Sequence, residues 1–344
     1  MRLKVGIFLE TVGNSSTDSK RRILHSFAEG VRKSEDRAII VNKPEYRNCD
    51  IALIFGFYGQ NLGYTQSVRK KVFKAHLARG KKCIFIDADP LKYAGTNLPK
   101  NQIDPLHYLR VSHTSVYPSD GYYFNEGSPS DRWDKISKEK NIVLKPYRKE
   151  GDHILICLNS DNKRGRGWST RNYDADKWLR NTIKEIRMKT DFPIRLRFHP
   201  GGDEITHRSR HWKKFLGVNN ITFSGGIIGR HPSIINNTTM LEETERAIAC
   251  ITMTSSSTIV AVINGVPIFT DNKDCLTYPV ANHNYSKILT PKFPNRDQWL
   301  YNLAYSCWNC DEMKNGIVWD RFRSRLNDNG DYSKKKARRL GVIP

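Results

Sequence analysis

Short apolar, β-branched runs alternate along this chain with longer stretches in which apolar positions recur every three or four residues. That alternation predicts strands of a parallel sheet with helices packed on it. In the first half the strands read Lys4–Leu9, Ala38–Val41, Ile51–Phe57 and Lys82–Asp87, with His107–Val111 as a further strand. Helices are expected near Ser19–Lys33 and Thr65–Arg79. The chain turns polar near Ser128–Asp134, and Lys145–Gly151 (KPYRKEG) has the composition of a linker.

A second series then begins. His153–Leu158, Ile194–Phe198, Ile221–Phe223, Ala249–Met253 and Pro267–Thr270 read as strands. Ala175–Met188, Met240–Ala247 and Thr258–Asn264 read as helices, Arg210–Leu216 as a short helix and Ser233–Asn237 as a turn. Arg296–Asn309 has the pattern of one amphipathic helix. The expectation is an α/β protein of two Rossmann-like domains facing a cleft. Residues 1–145 would form the first domain and 150–292 the second. Residues 293–325 would supply helices packing back across both, and 326–344 a basic tail.

Composition adds one unusual number. The 344 residues carry 57 Lys and Arg against 35 Asp and Glu, a formal net charge of +22. A basic soluble enzyme satisfies this, but so large an excess favours a polyanionic partner. The segment beyond Arg321, with Lys334, Lys335 and Lys336, reads as a solvated arm suited to phosphates. No apolar run approaches the ~18–20 residues of a membrane span, and no signal-peptide pattern follows the first strand. The cytoplasm is therefore the expected compartment, the host's if the chain is phage-encoded. Cys83, Cys157 and Cys250 fall inside apolar runs, as core cysteines do. Cys307 and Cys310 form a lone C-x-x-C without the second pair that a zinc site needs. The first strand lacks a G-x-G-x-x-G turn and no P-loop occurs, which removes the dehydrogenase and common nucleotide-triphosphatase readings.

Three segments carry chemistry. In Cys250–Asp271 a strand is followed at once by Thr254, Ser255, Ser256, Ser257 and Thr258, and then by a helix. One hydroxyl suffices for a helix cap; five in succession suit an anion held by hydroxyls and helix-start N–H groups. In Arg195–Gly202 (RLRFHPGG) a strand delivers Arg197 and His199 to its carboxyl edge, where open α/β sheets bind ligands. A surface turn with a chance His-Pro is the alternative. The segment Asn159–Thr170 (NSDNKRGRGWST) brings Lys163, Arg164, Arg166 and Trp168 beside two glycines; it reads equally as a basic surface loop.

The strand, hydroxyl turn, helix and G-x-P of Cys250–Asp271, with R-x-H-P, resemble the donor half of GT-B glycosyltransferases. The motifs are similar to those of capsule-polysaccharide and Kdo-type transferases and of UDP-GlcNAc 2-epimerases. The resemblance covers roughly the last 190 residues. It implies that Thr254, Ser255, Ser256, Ser257 and Thr258 hold a donor pyrophosphate, with Arg197, His199, Lys163, Arg166 and Trp168 around it. It also implies a nucleotide sugar, such as a UDP-sugar, as substrate, with no obligate metal or other cofactor. One departure is that Ile259-Val260-Ala261-Val262 stands where many GT-B enzymes place a ribose-binding Glu.

An inverting transferase needs a base in its other domain. Strand-end candidates are Glu10, Asp87, Asp89 and His113, and His199 would assist the leaving diphosphate. In size, basicity and domain plan the chain resembles phage DNA glycosyltransferases acting on hydroxymethylcytosine. That likeness implies double-stranded DNA as acceptor, contacted by Arg164 and Lys334–Lys336, with the aromatic segment Tyr117–Trp133 against bases. The alternatives are a surface-polysaccharide acceptor, a sugar-nucleotide epimerase, and a non-catalytic nucleic-acid-binding protein.

Overall fold

The computed structural model describes residues 2–12, 17–57, 64–95, 108–159, 174–198, 212–215, 217–225, 234–235 and 238–326. The chain divides into two compact units. Unit 1 comprises Met1–Lys92, Pro99–Trp133 and Tyr301–Pro344; unit 2 comprises Tyr93–Leu98 and Asp134–Leu300.

Unit 1 is a six-stranded sheet in the order β13-β5-β4-β3-β1-β2. Its parallel centre is β1 (Lys4–Phe8), β2 (Arg37–Val41), β3 (Ile51–Phe55) and β4 (Lys82–Asp87), as the apolar runs predict. The strands β5 (Leu109–His113) and β13 (Cys307–Trp308) close one side antiparallel. Alternate residues fill opposite faces. Val5, Ile7, Leu53, Ile84 and Ile86 pack with Phe27 of α1 (Thr17–Lys33) and with Trp319 and Phe322 of α9 (Ile317–Arg325). Ala52, Ile54, Cys83 and Phe85 pack with Val72 and Phe73 of α2 (Tyr64–Ala78). With both faces covered, the strands need no polar side, and hence they read as unbroken apolar runs.

Two expectations change here. The single helix over Arg296–Asn309 is instead α7 (Asp297–Ala304), then β13, then α8 (Cys310–Lys314). Ser306 turns its hydroxyl onto the Leu303 carbonyl, and the edge of β5 takes over the backbone, Val111 N–H donating to Ser306 O. Asn309 and Glu312 then form a reciprocal capping box that restarts the helix. The arm expected from Arg321 onward is helical as far as Arg325. There Trp319 Nε1 donates to Asp36 at 2.9 Å and Arg323 pairs with the same carboxylate at 2.5 Å. Lys334, Lys335 and Lys336 lie outside the described residues.

Unit 2 is an all-parallel sheet in the order β12-β11-β10-β6-β7-β8-β9. The strands are β6 (His153–Cys157), β7 (Ile194–Arg197), β8 (Ile221–Ser224), β9 (Ile234–Ile235), β10 (Ala247–Thr252), β11 (Ile268–Phe269) and β12 (Ala281–Asn282). The helix α3 (Asp131–Glu139), whose first three residues belong to unit 1, begins where only polar chain was expected. It is followed within the unit by α4 (Ala175–Arg187), α5 (Met240–Glu245) and α6 (Thr258–Ile263). β9 replaces the expected turn at Ser233–Asn237, and Trp212–Phe215 is a single 3-10 turn.

The linker reading of Lys145–Gly151 is corrected, because this segment is a strap on unit 2. Lys145 N–H donates to Ile263 O at 2.9 Å and Arg148 N–H to Gly265 O at 2.7 Å. Gly265 has φ +77°, and a Cβ there would collide with the Pro146 carbonyl. Arg296 completes the join, donating to Val262 O (2.6 Å) and Lys145 O (2.7 Å) while stacked on Tyr147. The strap and Arg296 thus take up the orphan carbonyls at the end of α6.

Candidate functional site

In unit 2 the strand order reverses between β6 and β10, with β7–β9 on one side and β11–β12 on the other. Open sheets bind ligands at the carboxyl ends of such a pair, and the hydroxyl run follows β10 there. Asn159, just past β6, reaches across and donates from Nδ2 to Thr254 Oγ1 at 2.6 Å. Ser255 N–H donates to Thr252 Oγ1 (2.9 Å), which itself donates to Cys157 O (3.0 Å). The turn is therefore tied to both strands of the reversal.

The hydroxyls beyond it divide by task. Ser255 and Ser257 bond to each other at 2.8 Å, and Thr258 Oγ1 donates to Ser255 O at 2.8 Å beside Thr277 Oγ1 at 3.1 Å. The N–H groups of Thr258, Ile259 and Val260 already bond back to Ser255, Ser256 and Ser257. Ser256 is the exposed member, and among the described residues nothing takes its N–H or hydroxyl. The expected anion site thus narrows to Ser256 and the mutually bonded pair beside it. α6 contributes little dipole, having only six residues and no side-chain cap from Ser257. Its six residues are all buried, which is why Ile259–Val262 offers no polar group for a ribose.

Arg197 is placed differently from the open phosphate fork expected. Its guanidinium donates to Thr238 Oγ1 (3.1 Å) and Thr238 O (3.0 Å) and lies 3.4 Å from Glu243. Glu243 is fully buried and also takes Arg195 at 3.1 Å, so the acid requires these cations and holds them. His199, Lys163, Arg164, Arg166 and Trp168 lie outside the described residues.

Sequence reasoning took Asn159 only as the start of a basic loop, and it passed over Thr277 and a stacked pair past β11 and β12. Asn159 had a readable signal as the first polar residue after an apolar strand. In the stacked pair, the rings of Tyr278 and His283 are 4.2 Å apart, and His283 Nδ1 lies 2.7 Å from Thr270 O. A two-residue strand places His283, and no periodicity reveals so short an element.

In unit 1 the base candidates have different surroundings. Asp89 is buried, accepting from Leu91 N–H (2.7 Å) and Tyr108 N–H (3.3 Å), and so it is a turn-holding carboxylate. Asp87 pairs with Arg110 at 2.5 Å and keeps partial exposure. Glu10 takes Arg21 at 3.1 Å and the Tyr64 hydroxyl at 3.0 Å. His113 is fully buried beside Tyr122 and Phe124. The aromatic segment meant for bases is largely internal: Tyr123 and Trp133 are buried, and Phe124 packs on Phe322. Cys307 is buried too, its thiol pushed up to about 12 by burial. Among the described residues no three His, Cys, Asp or Glu cluster as metal ligands, and no helix is long and apolar enough to cross a membrane.

No family model and no curated protein sequence matches the chain. Solved structures do. The beta Kdo 2,4 transferase of Thermosulfurimonas dismutans KpsC superposes with a TM-score of 0.50 at 13% identity, over 88% of this chain and 90% of that one. The chain has the GT-B fold. The beta Kdo 2,7 transferase of the same KpsC gives 0.45 at 10% identity, over 92% and 99% of the two chains. A UDP-GlcNAc 2-epimerase of Methanocaldococcus jannaschii, in complex with UDP-GlcNAc and UDP, gives 0.32 at 12%, over 93% and 99%. At these identities the likeness concerns the fold, and activity has to be argued from the site.

Proposed function

We propose that this chain is a glycosyltransferase that takes a sugar from a nucleotide-sugar donor and builds a surface polysaccharide. The observation that carries the reading is the hydroxyl turn at the β6/β10 reversal, pinned by Asn159 and presenting Ser256 outward. Donor diphosphate at this edge would accept hydrogen bonds from the Ser256 N–H and hydroxyl, with Ser255 and Ser257 free to redirect theirs. Charge that builds on the departing diphosphate is stabilised where such donors are fixed beforehand. Asn159 and Thr252 do that fixing. Arg197 acts as a brace, holding Thr238 and Glu243 against the neighbouring strands. His199 is proposed to assist the leaving group, and Glu10 and Asp87 stay as base candidates because each retains exposure. Among solved structures with this fold is a beta Kdo 2,4 transferase, which supports a saccharide acceptor over DNA. Net charge alone favours a polyanion such as DNA.

The test incubates the chain with a panel of UDP- and CMP-sugars and reads release of nucleotide, with and without oligosaccharide or hydroxymethylated duplex acceptors. Donor-dependent release that oligosaccharide stimulates supports the proposal. Stimulation by DNA alone restores the DNA reading, and no turnover of any donor overturns the enzyme reading.

A further inference from the structure

Unit 1 gathers positive charge on its closed side, beside β13 and β5 and at the opposite end of the sheet from β1 and β2. Arg321 and Arg325 stand one turn apart on α9 and converge on a single acceptor, the Phe124 carbonyl. Arg321 Nη2 donates to it, and so does Arg325 Nη1 at 2.8 Å. Phe124 has φ +53°, a left-handed conformation that is costly for a bulky side chain. A strained residue thus holds its carbonyl between two guanidinium groups.

The surroundings are aromatic. Arg321 Cζ lies 4.9 Å from the Tyr305 ring centre and 5.8 Å from that of Trp308, and Arg325 Cζ lies 6.0 Å from that of Phe124. Burial first, and then the charge of Arg325, pull the Arg321 guanidinium down to about 10, with Arg132 adding to the effect. The nearby carboxylates are committed elsewhere: Arg132 holds Glu312, and Asp131 takes the Tyr305 hydroxyl at 2.9 Å. Among the described residues no carboxylate pairs with Arg321 or Arg325, and none acts on Arg321. There too, nothing takes Nη1 of Arg321 or Nε and Nη2 of Arg325. Both side chains are partly exposed, so a ligand can reach them.

Two like charges drawn together over aromatic rings are unfavourable until an anion joins them. A planar carboxylate is already filled by one guanidinium fork. Donors left over on two guanidinium groups better suit a tetrahedral dianion, whose oxygens can face both. We propose that Arg321 and Arg325 bind a phosphate monoester on this side of unit 1, at a site separate from the hydroxyl turn of unit 2.

The experiment measures binding directly, so a chain that turns over no donor still tests it. The full chain is titrated calorimetrically with glucose 6-phosphate, glucose and glucuronate. It is also sedimented with phosphatidylcholine vesicles that contain or lack phosphatidic acid. Glucose 6-phosphate should bind ten times or more tighter than either other sugar. Arg321→Gln and Arg325→Gln should each weaken it about tenfold, and Ser256→Ala should leave it unchanged. Arg325→Gln keeps the bond from Arg321 to Phe124, and thermal melting checks that each variant folds. Pelleting with phosphatidic acid that either Arg variant abolishes marks a lipid headgroup as the source; binding of the sugar phosphate alone marks a soluble ester. Equal affinity in the wild type and both folded variants overturns the proposal. So does loss of binding in Ser256→Ala alone, which would put the phosphate on the donor turn, or glucuronate binding as tightly as the phosphate. Asp328, three residues past Arg325, lies outside the described residues. An Asp328→Asn variant that loses as much stability as Arg325→Gln would mean an internal counter-charge and overturn it too. Tighter, salt-steep binding of duplex DNA through the same two side chains would assign the pair to nucleic acid instead.

Discussion

The two units share a parallel sheet with a reversal next to its first strand, yet they put opposite chemistry on that reversal. Unit 2 offers neutral hydroxyls and one backbone N–H at Ser256, drawn together by Asn159. Unit 1 offers Arg69, half-buried with its guanidinium on the backbone carbonyls of Thr11 and Phe57. The sheet decides where a ligand goes, while the residues just past each strand decide what it is. Hydroxyls and N–H groups follow a charge that develops during reaction at little desolvation cost. A desolvated cation selects a charge that is present from the start.

The units also differ in how they bury charge, and this gives the largest expected effect. In unit 1 Arg132 holds Glu312 through two bonds of 2.7 Å and lies 3.9 Å from the Trp308 ring centre. Arg132→Met should cost about 3–5 kcal/mol, because a buried carboxylate loses its cation and the Ala304 and Cys307 carbonyls lose a donor. Combining it with Glu312→Gln, which removes the charge and keeps the capping bond to Asn309 N–H, should restore part of that, as chemical denaturation would read. An equal cost in single and double variants would break the account.

Unit 2 has its own vulnerable point in the strap. Gly265→Ala places a Cβ on the Pro146 carbonyl at a left-handed φ. A loss of about 3 kcal/mol is expected by the same measurement. An unchanged midpoint would mean that the strap does not hold α6.

Acid should separate the units next. His76 in unit 1 is fully buried, 3.4 Å from Cys49 Sγ, and burial, then Lys81 and Arg79, hold its pKa at about 4. Its folded pKa lies below the unfolded one, so the unfolded chain binds the extra proton. The associated stability is complete above about pH 6.5 and is lost as pH falls toward about 4, up to about 3 kcal/mol. His153 in unit 2 is lowered by burial as well, but the hydrogen bond to Asp152 opposes the shift. Denaturation at pH 7 and pH 4.5 should therefore lose much of its pH dependence in His76→Gln and less in His153→Gln. The reverse ranking would contradict it.

The smallest effect sharpens the comparison at the sites themselves. Ser256→Ala removes a hydroxyl without a described protein partner, so stability should hold. Donor affinity should fall by about 1.5 kcal/mol, roughly tenfold. Unchanged donor affinity would break the reading of this turn as the donor site.

Much of this fold was legible because buried parallel strands leave long apolar runs, as in Lys82–Asp87 and His153–Cys157. The short elements were not. β13 and β12 have two residues each, too few for a period, and their existence depends on a neighbouring strand edge offering partners. The strap at Lys145–Arg148 looked like a linker because its polar side chains say nothing about where its backbone bonds go. At the site, the hydroxyl run announced itself by composition. Asn159 as its anchor, and the closure of the Arg197 fork by Glu243, depend on residues 95 and 46 positions away.

The sequence by itself therefore determined the two α/β series, the place of the hydroxyl turn at a strand's carboxyl end, and the excess of positive charge. Each is a local property, fixed by side-chain period or residue count. Tertiary structure alone decided which polar groups remain available. Arg197, Asp89 and His113 were consumed by packing and hydrogen bonding, while Ser256 and one edge of Arg69 stayed open. A buried polar group must find a partner, and that partner comes from a distant part of the chain that only folding brings near.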